Sequence, residues 1–200
     1  MEKKEIINQT RLAFSHIHNL YMETAYFIKE IEAQLAEEME TFVIGKPSGY
    51  SINARSSTGL EPPNVYLWTI RKLSVFFVPI DSTKVSGTTT TEFNDDTKVI
   101  YVRVILDENE ITEPQVYFGV LYSFGENEKL NKKFSKVEHL MGHIEYREKL
   151  FLSSLKNIDY EDVYVKFKGN LQKANLFDIN GSEEVNKLIV QPAIKLFRSI

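Results

Sequence analysis

Residues 5–40 are the segment that most narrows what this chain can fold into, because their pattern is that of one long helix. Apolar and aromatic side chains recur there at spacings of three and four residues, and neither proline nor glycine interrupts the segment. The stripe consists of Phe14, Ile17, Tyr21, Thr24, Ile28, Ile31 and Leu35. A dimerising coiled coil would show the same spacing. Polar Thr24 inside the stripe and apolar residues beside it favour instead a helix whose stripe packs on a sheet.

Two segments in the middle of the chain alternate in the way that β-strands do. Lys98 to Leu106 carries an aliphatic face at every second position and a mixed face between, and Val116 to Phe124 also alternates. The acidic stretch DENEITEP joins them. It lacks the glycine and the last glutamate of an EF-hand loop, so we interpret it as the connection of an antiparallel hairpin.

Helices are predicted at two further places. Ser135, with Glu138 three residues on, forms a capping box that starts a helix near 135–155. Asn180 or Ser182 is placed to cap a C-terminal helix, which Pro192 should kink or split. Short strands are expected at 50–55, 163–168 and 175–179, and residues 65–78 are expected to form one long strand or two short ones. The sequence therefore predicts a single α+β domain over residues 1–200. It has a mostly antiparallel sheet of about five to six strands, a long N-terminal helix, the helix near 135–155 and a C-terminal helix.

Composition limits the class of protein. The chain has 200 residues, no cysteine and a formal net charge of −4. Without cysteine there are no disulfides, thiolate metal sites or cysteine nucleophiles, and a mildly acidic chain is not typical of a dedicated nucleic-acid binder. The polar N-terminus lacks the apolar core of a signal peptide, and no apolar run is long enough to span a bilayer. We therefore expect a soluble, cytoplasmic protein that is not associated with a membrane, and we assign it no cofactor.

Two histidines one helical turn apart, His139 and His143, are the first candidate site. A pair at this spacing can bind one metal ion, as in the helical zinc proteases, but those have glutamate directly after the first histidine and this chain has Leu140. On the predicted helix the pair shares a face with Tyr146 and Leu150, away from the apolar stripe. We therefore assign no metal here, and we interpret these four residues as a stripe that contacts a partner.

Basic residues before that helix, together with two in an earlier strand, are the second candidate site. They are Lys129, Lys132, Lys133, Arg71 and Lys72. Such a group could bind an anion such as a nucleotide phosphate, because the N-terminus of a helix also offers free N–H groups to anions. A nucleic acid is a weaker alternative partner, since the sequence contains no RNA- or DNA-binding motif.

The predicted order of helices and strands resembles the core of the PD-(D/E)XK nucleases. Those enzymes bind Mg²⁺ through an acid at one strand end and a (D/E)-x-K motif on the next strand. Asp81 could supply the first acid, but the next strand, KVIYVRVIL, contains no such motif. Glu161 and Asp162 stand at the wrong spacing from Lys166 to replace it. The resemblance therefore implies at most a degenerate relative of these enzymes.

Motifs of the common enzyme classes are absent from the sequence, which has no P-loop, no dinucleotide-binding glycine motif and no serine-hydrolase elbow. We therefore expect a non-enzymatic interaction protein that binds a protein partner, or itself as a homodimer, through its helix faces. The alternatives are a metal-assisted hydrolase or nuclease-like protein, and an anion- or nucleotide-binding protein.

Overall fold

The first helix, α1, spans Lys3–Met39 and confirms the long N-terminal helix. It belongs to a computed structural model that describes residues 3–39, 42–44, 50–51, 69–79, 97–107, 111–125, 143–144, 147 and 152–200. A helix of 37 residues is a rod of about 55 Å, because each residue adds ~1.5 Å. α1 is therefore long enough to extend beyond the elements on which it packs.

The described residues form one antiparallel sheet of seven strands. The strands are β1 (Phe42–Ile44), β2 (Tyr50–Ser51), β3 (Lys72–Pro79), β4 (Val99–Ile105), β5 (Gln115–Gly125), β6 (Ile158–Glu161) and β7 (Lys166–Asn175). Their order in space is β1-β3-β4-β5-β7-β6, and the short β2 also pairs with β3. With helices at both ends of the described chain, the α+β class is confirmed.

β4 and β5 form the central hairpin that their alternation predicted. They pair antiparallel, with Val102 opposite Phe118, and the acidic connection lies between them. Every residue of β4 is buried, on the mixed face as well as on the aliphatic one. The mixed face is therefore not a solvated face, because a second layer covers it.

The sheet separates two apolar cores. The first core lies between the sheet and the helices, and its members include Ile28, Ile31, Leu35, Ile100, Val102, Val104, Ile189 and Ile194. The second core lies on the other face, and its members include Phe76, Tyr101, Leu121, Ile144, Phe167 and Leu171. Both faces of the central strands are therefore removed from water, which is the main source of stability for a domain of this size.

The C-terminal helix consists of three segments in direct succession. They are α2 (Ser182–Val185), a π-helical turn (Asn186–Val190) and α3 (Gln191–Ser199). Pro192 lies in the first turn of α3 and has no N–H to donate, so the carbonyl four residues earlier loses its usual partner. The wider turn directly before it accommodates the proline, and the Gln191 N–H there donates to the Asn186 oxygen. The predicted interruption is confirmed, but as a π turn within a continuing helix.

The predicted cap of this helix is wrong. The N-cap residue is Gly181, and no side chain bonds to the free N–H groups there. Ser182 directs its hydroxyl instead toward α1, where a Glu30 oxygen accepts its hydrogen bond. A serine caps a helix by accepting a backbone N–H through its hydroxyl oxygen. Here the Ser182 oxygen accepts the Gln34 Nε2 instead, while its O–H donates to Glu30.

The predicted strands at 163–168 and 175–179 are misplaced. β7 begins later and continues to Asn175, and Leu176–Asp178 forms a 3₁₀ turn that the Asn175 side chain caps. The partner of β7 on this edge is β6, which precedes it in the chain. β7 has no β-branched residue, and it is a strand because β5 and β6 supply hydrogen bonds on both of its sides.

Most of the predicted helix near 135–155, including its capping box, lies outside the described residues. His143 and Ile144 are helical, and Ile144 is buried in the second core. Residues 152–155 form a turn followed by irregular chain, so these four residues are not helical as predicted. Leu152 and Leu155 pack against the second core although they are not helical.

Candidate interaction surface

The two halves of α1 differ in burial. From Thr24 onward the stripe is buried, and Ile28, Ile31 and Leu35 belong to the first core. Every residue from 3 to 16 is exposed, and Ile17 is half-buried at the boundary. Residues 3–16 are called the projecting half below. Because the stripe continues through both halves, its apolar side chains are covered in one half and left in water in the other.

The projecting half carries four large exposed apolar side chains. Phe14 is 70% exposed and Leu12 59%, and Ile6 and Ile7 are also exposed. The prediction that the whole stripe packs on the sheet is therefore wrong at Phe14, because α1 continues past the residues that cover this face. Ile6, Ile7 and Phe14 lie toward one side of the helix, whereas Leu12 lies on the opposite side. Grouped apolar side chains such as the first three mark interaction sites more often than scattered ones do.

The apolar face of the projecting half has one basic border. The face consists of Ile7, Thr10, Phe14 and Ile17, which are spaced three, four and three residues apart. Ile6 and Ala13 run along one border, and Lys4 and Arg11 run along the other. Glu5, the single acidic residue among 3–16, lies on the opposite side of the helix. Lys3 lies on the line of the apolar face at its N-terminal end. The surface is therefore apolar, with positive charge at that end and along one border.

Polar contacts fix the second half of α1 to α2. The Gln34 Nε2 donates to the carbonyl and the hydroxyl oxygens of Ser182, each at 2.9 Å, and to the Glu30 Oε1 at 2.6 Å. The Ser182 hydroxyl donates to the same Glu30 oxygen. The hydrogen bond from Ser182 first, and that from Gln34 second, lower the pKa of Glu30. This junction fixes the direction in which α1 leaves the sheet.

A groove of about 560 Å³ lies between α1 and the segment that leads into α2. Its lining is mostly apolar and includes Leu20, Tyr26, Phe27, Phe177 and Val185. Glu23 and Glu30 add negative charge to it. Its volume is in the range of small-ligand sites, which are about 300–1,000 Å³. The groove begins about one turn after the projecting half ends, and most of its α1 residues lie on another side of the helix from Ile7 and Phe14.

His143, from the predicted partner-contacting stripe, lies against Arg147 and Tyr164. The rings of His143 and Tyr164 stack with centroids 5.2 Å apart, and the Arg147 guanidinium lies 4.8 Å from the Tyr164 centroid. The Arg147 Nη1 also donates to the His143 carbonyl at 3.0 Å. The other members of the stripe lie outside the described residues: His139, Tyr146 and Leu150. The stripe as a whole therefore stays a prediction.

Asp162 joins this cluster to the turn between β6 and β7. Its Oδ1 accepts the N–H groups of Tyr164 at 2.7 Å and Val165 at 2.8 Å. Its Oδ2 accepts the Tyr160 hydroxyl at 3.1 Å and the Arg147 Nε. A carboxylate with four donors is well satisfied, so the contacts of Asp162 are those of a residue that holds the fold.

The acids considered in the comparison with nucleases do not form a described metal site. Glu161 and Lys166 form an ion pair at 3.0 Å, and the hydrogen bond to Glu161 raises the pKa of Lys166. Asp81 lies outside the described residues. In the part of the chain that the structure describes, no three histidine, aspartate or glutamate side chains are grouped closely enough to hold a metal ion.

Arg71, from the predicted anion-binding group, is engaged by an acid of its own chain. Its Nε donates to the Asp107 Oδ2 at 2.7 Å, and its Nη2 contacts the same oxygen. The Arg71 carbonyl accepts the N–H groups of Leu106 and Asp107, which ties the start of β3 to the end of β4. Lys72 is half-buried at the first position of β3. The three lysines of the group lie outside the described residues: Lys129, Lys132 and Lys133.

Arg103 is a charged residue that sequence reasoning placed on a mixed face and that the structure buries completely. Its Nη1 donates to the Ser74 Oγ at 2.6 Å, and the Tyr101 hydroxyl lies 3.3 Å from the same oxygen. The sequence signal for the burial of Arg103 was its place in β4, where apolar residues occupy the neighbouring positions. The side chain is buried because the second core covers that face of β4.

Comparisons with known proteins identify no relative of this chain. No protein-family model matches the chain, and no curated protein and no solved structure shows significant similarity to it. Within the described ranges, no helix combines the length and the apolar character needed to span a bilayer. The case for a function therefore depends on the residues of this chain alone.

Proposed function

We propose that this chain is a protein-binding protein that contacts a protein partner, or a second copy of itself, through the projecting half of α1. The observation that supports the proposal is the exposure of Phe14 within a group of large apolar side chains. Removing apolar surface from water contributes roughly 25 cal/mol per Å². Covering these side chains would therefore stabilise a complex, and leaving them in water gains nothing for the isolated fold.

The projecting half cannot be buried by bending α1 onto its own sheet. α1 is one continuous helix, and its second half is held by the junction of Gln34 and Ser182. Folding residues 3–16 back would break helical hydrogen bonds near Ile17, and the sheet face beneath Ile28 and Leu35 is already occupied. This geometry favours burial by another molecule.

The alternative proposals draw less support from the described contacts. An anion-binding protein would use Arg71, whose guanidinium contacts Asp107. A metal-assisted hydrolase would use acids such as Asp162, whose oxygens accept four donors within the fold. The projecting half has large apolar side chains that its own fold leaves exposed, and it therefore carries the proposal.

The test replaces Ile6 and Phe14 by glutamine in one double variant. Glutamine keeps the helix propensity and removes the apolar surface. We expect the purified wild-type chain either to self-associate in sedimentation velocity or to retain a partner from native extract. The double variant should lose that binding by about tenfold or more, which corresponds to about 1.4 kcal/mol.

The matched control replaces Gln9 and His16, two exposed polar residues of the same segment. Q9S/H16Q should bind as the wild type does, and circular dichroism should show equal helix content in all three chains. A wild-type chain that is strictly monomeric, and that retains no protein the double variant loses, would contradict the proposed function.

A further inference from the structure

The basic border of the projecting half selects among the partners that its apolar face could bind. We propose that this surface binds an amphipathic helix of a different protein, whose border facing Lys4 and Arg11 is acidic. The inference rests on the proposed function and names the chemistry of its partner. Three alternatives, two arrangements of a second copy and a lipid surface, fit the geometry less well.

An antiparallel pair of two projecting halves is opposed by charge. The symmetry axis of such a pair is perpendicular to both helices, so each border of one copy faces the same border of the other. Lys4 and Arg11 would then face the Lys4 and Arg11 of the second copy. Like charges at the borders of a helix pair destabilise it, and they are a common means of preventing self-pairing.

A parallel pair is opposed by the fold. Two parallel helices of this chain would contact each other along the same face through both halves of α1. From Ile28 to Leu35 that face is buried in the first core, against the sheet and the C-terminal helix. A second α1 could follow the face only by displacing the sheet.

A flat anionic lipid surface would suit the mixture of apolar and basic side chains, as it does in helices that lie at membrane surfaces. Here, however, the apolar face of the projecting half continues into the buried stripe of the second half. The sheet therefore lies on the same side of α1 as Phe14. A flat membrane would contact the sheet first, and the sheet would hold the projecting half away from the membrane.

A separate helix of about four turns fits alongside residues 3–17 and ends where the sheet begins. Its apolar stripe would pack on Ile7, Phe14 and Ile17. Its acidic border would form ion pairs with Lys4 and Arg11, whereas the other border would meet the aliphatic Ile6 and the small Ala13. Opposite charges on facing borders set both partner and orientation in helix pairs.

The test uses two synthetic helical peptides with identical apolar positions, one with glutamate borders and one with lysine borders. Binding to the full chain is measured by fluorescence anisotropy at physiological salt. We expect the glutamate peptide to bind about tenfold more tightly than the lysine peptide. K4E/R11E should reverse this preference, and Phe14→Ser should weaken both peptides. Lys195→Glu, an exposed charge reversal on α3, is the control and should leave the preference unchanged.

Several outcomes overturn the inference and leave the proposed function standing. Equal binding of the two peptides would do so, as would a dimer of the full chain that Phe14→Ser dissociates. A different outcome is binding to vesicles rich in phosphatidylserine that K4E/R11E abolishes, without binding of the glutamate peptide. It would assign the surface to lipid and contradict the proposed function as well. If neither the peptides nor any component of native extract binds in a way that depends on Phe14, both proposals are wrong.

Discussion

Gly119 of β5 and Asn170 of β7 lie so close that no side chain fits between their backbones. A Cβ built on Gly119 would be 2.1 Å from the Asn170 carbonyl oxygen. Gly119 also has a φ of +153°, a conformation that favours glycine. The close approach occurs where β5, from the central hairpin, meets β7, whose own sequence predicts a strand weakly. The pairing of these two strands therefore depends on the absence of one side chain.

We expect Gly119→Ala to lower the free energy of unfolding by about 3 kcal/mol or more, since backbone strain and a clash with backbone atoms add. The measurement is urea unfolding of the purified variant. Gly181→Ala is the control: its Cβ would meet a Glu184 side-chain oxygen at 3.5 Å, an ordinary contact. It should cost about 1 kcal/mol or less, as a modest change at a helix N-cap. Equal losses for the two variants would contradict the close approach.

The junction of Gln34 and Ser182 is expected to behave as one unit. Gln34→Leu and Ser182→Ala should each cost about 1–3 kcal/mol, because each leaves a partner with fewer hydrogen bonds. The double variant should cost less than the sum, with a coupling of about 0.5 kcal/mol or more. Gln191→Ala removes an exposed hydrogen bond to Glu38, which joins α1 to α3, and is the control. It should cost less than about 0.5 kcal/mol, and strict additivity at the junction would refute the coupling.

Stability should depend on pH through Glu30. The pKa of this carboxyl is lowered in the folded chain from its ordinary value of 4.5, so its ionised form stabilises the fold. That contribution is present above the ordinary value and is lost as pH falls through the folded pKa. In Glu30→Gln the contribution is absent at every pH. The difference in Tm between wild type and variant should therefore be largest near neutral pH and shrink on acidification, as calorimetry at a series of pH values would show.

An exposed acid on the same helix gives the control for that experiment. Glu37→Gln removes one negative charge without touching the junction and should leave the wild-type dependence of Tm on pH unchanged. If Glu30→Gln and Glu37→Gln gave the same profile, the pH dependence would come from net charge rather than from the hydrogen bonds of Ser182 and Gln34.

Asp162→Asn should destabilise the fold by about 1–3 kcal/mol, because an amide cannot accept all four of the hydrogen bonds that the carboxylate accepts. Asp159→Asn, an exposed acid in the adjacent β6, is the matched control and should stay within about 0.5 kcal/mol of the wild type. Thermal unfolding monitored by near-UV circular dichroism suits the comparison, since Tyr160 and Tyr164 report on this cluster. Equal behaviour of the two variants would show that Asp162 is not needed to hold the turn.

The parts of the fold that could be predicted are those whose pattern is local. The period of α1 and the alternation of β4 and β5 repeat within short windows, and a repeated pattern tolerates errors at single positions. The cap of α2 and the bounds of β7 could not be predicted in this way. Ser182 bonds to Glu30, and β7 is a strand through its neighbours β5 and β6, so both features depend on residues far away in the sequence.

The candidate surface shows the same division. The sequence contains the apolar face of α1 and its basic border at Lys4 and Arg11, because helix geometry places residues at these spacings side by side. The sequence does not show at which residue of α1 the sheet stops covering that face. Phe14 and Ile28 occupy equivalent positions in one stripe, and nothing local distinguishes them. One lies in water and the other in the core, because burial depends on where distant strands come to pack, and only the tertiary structure decides that.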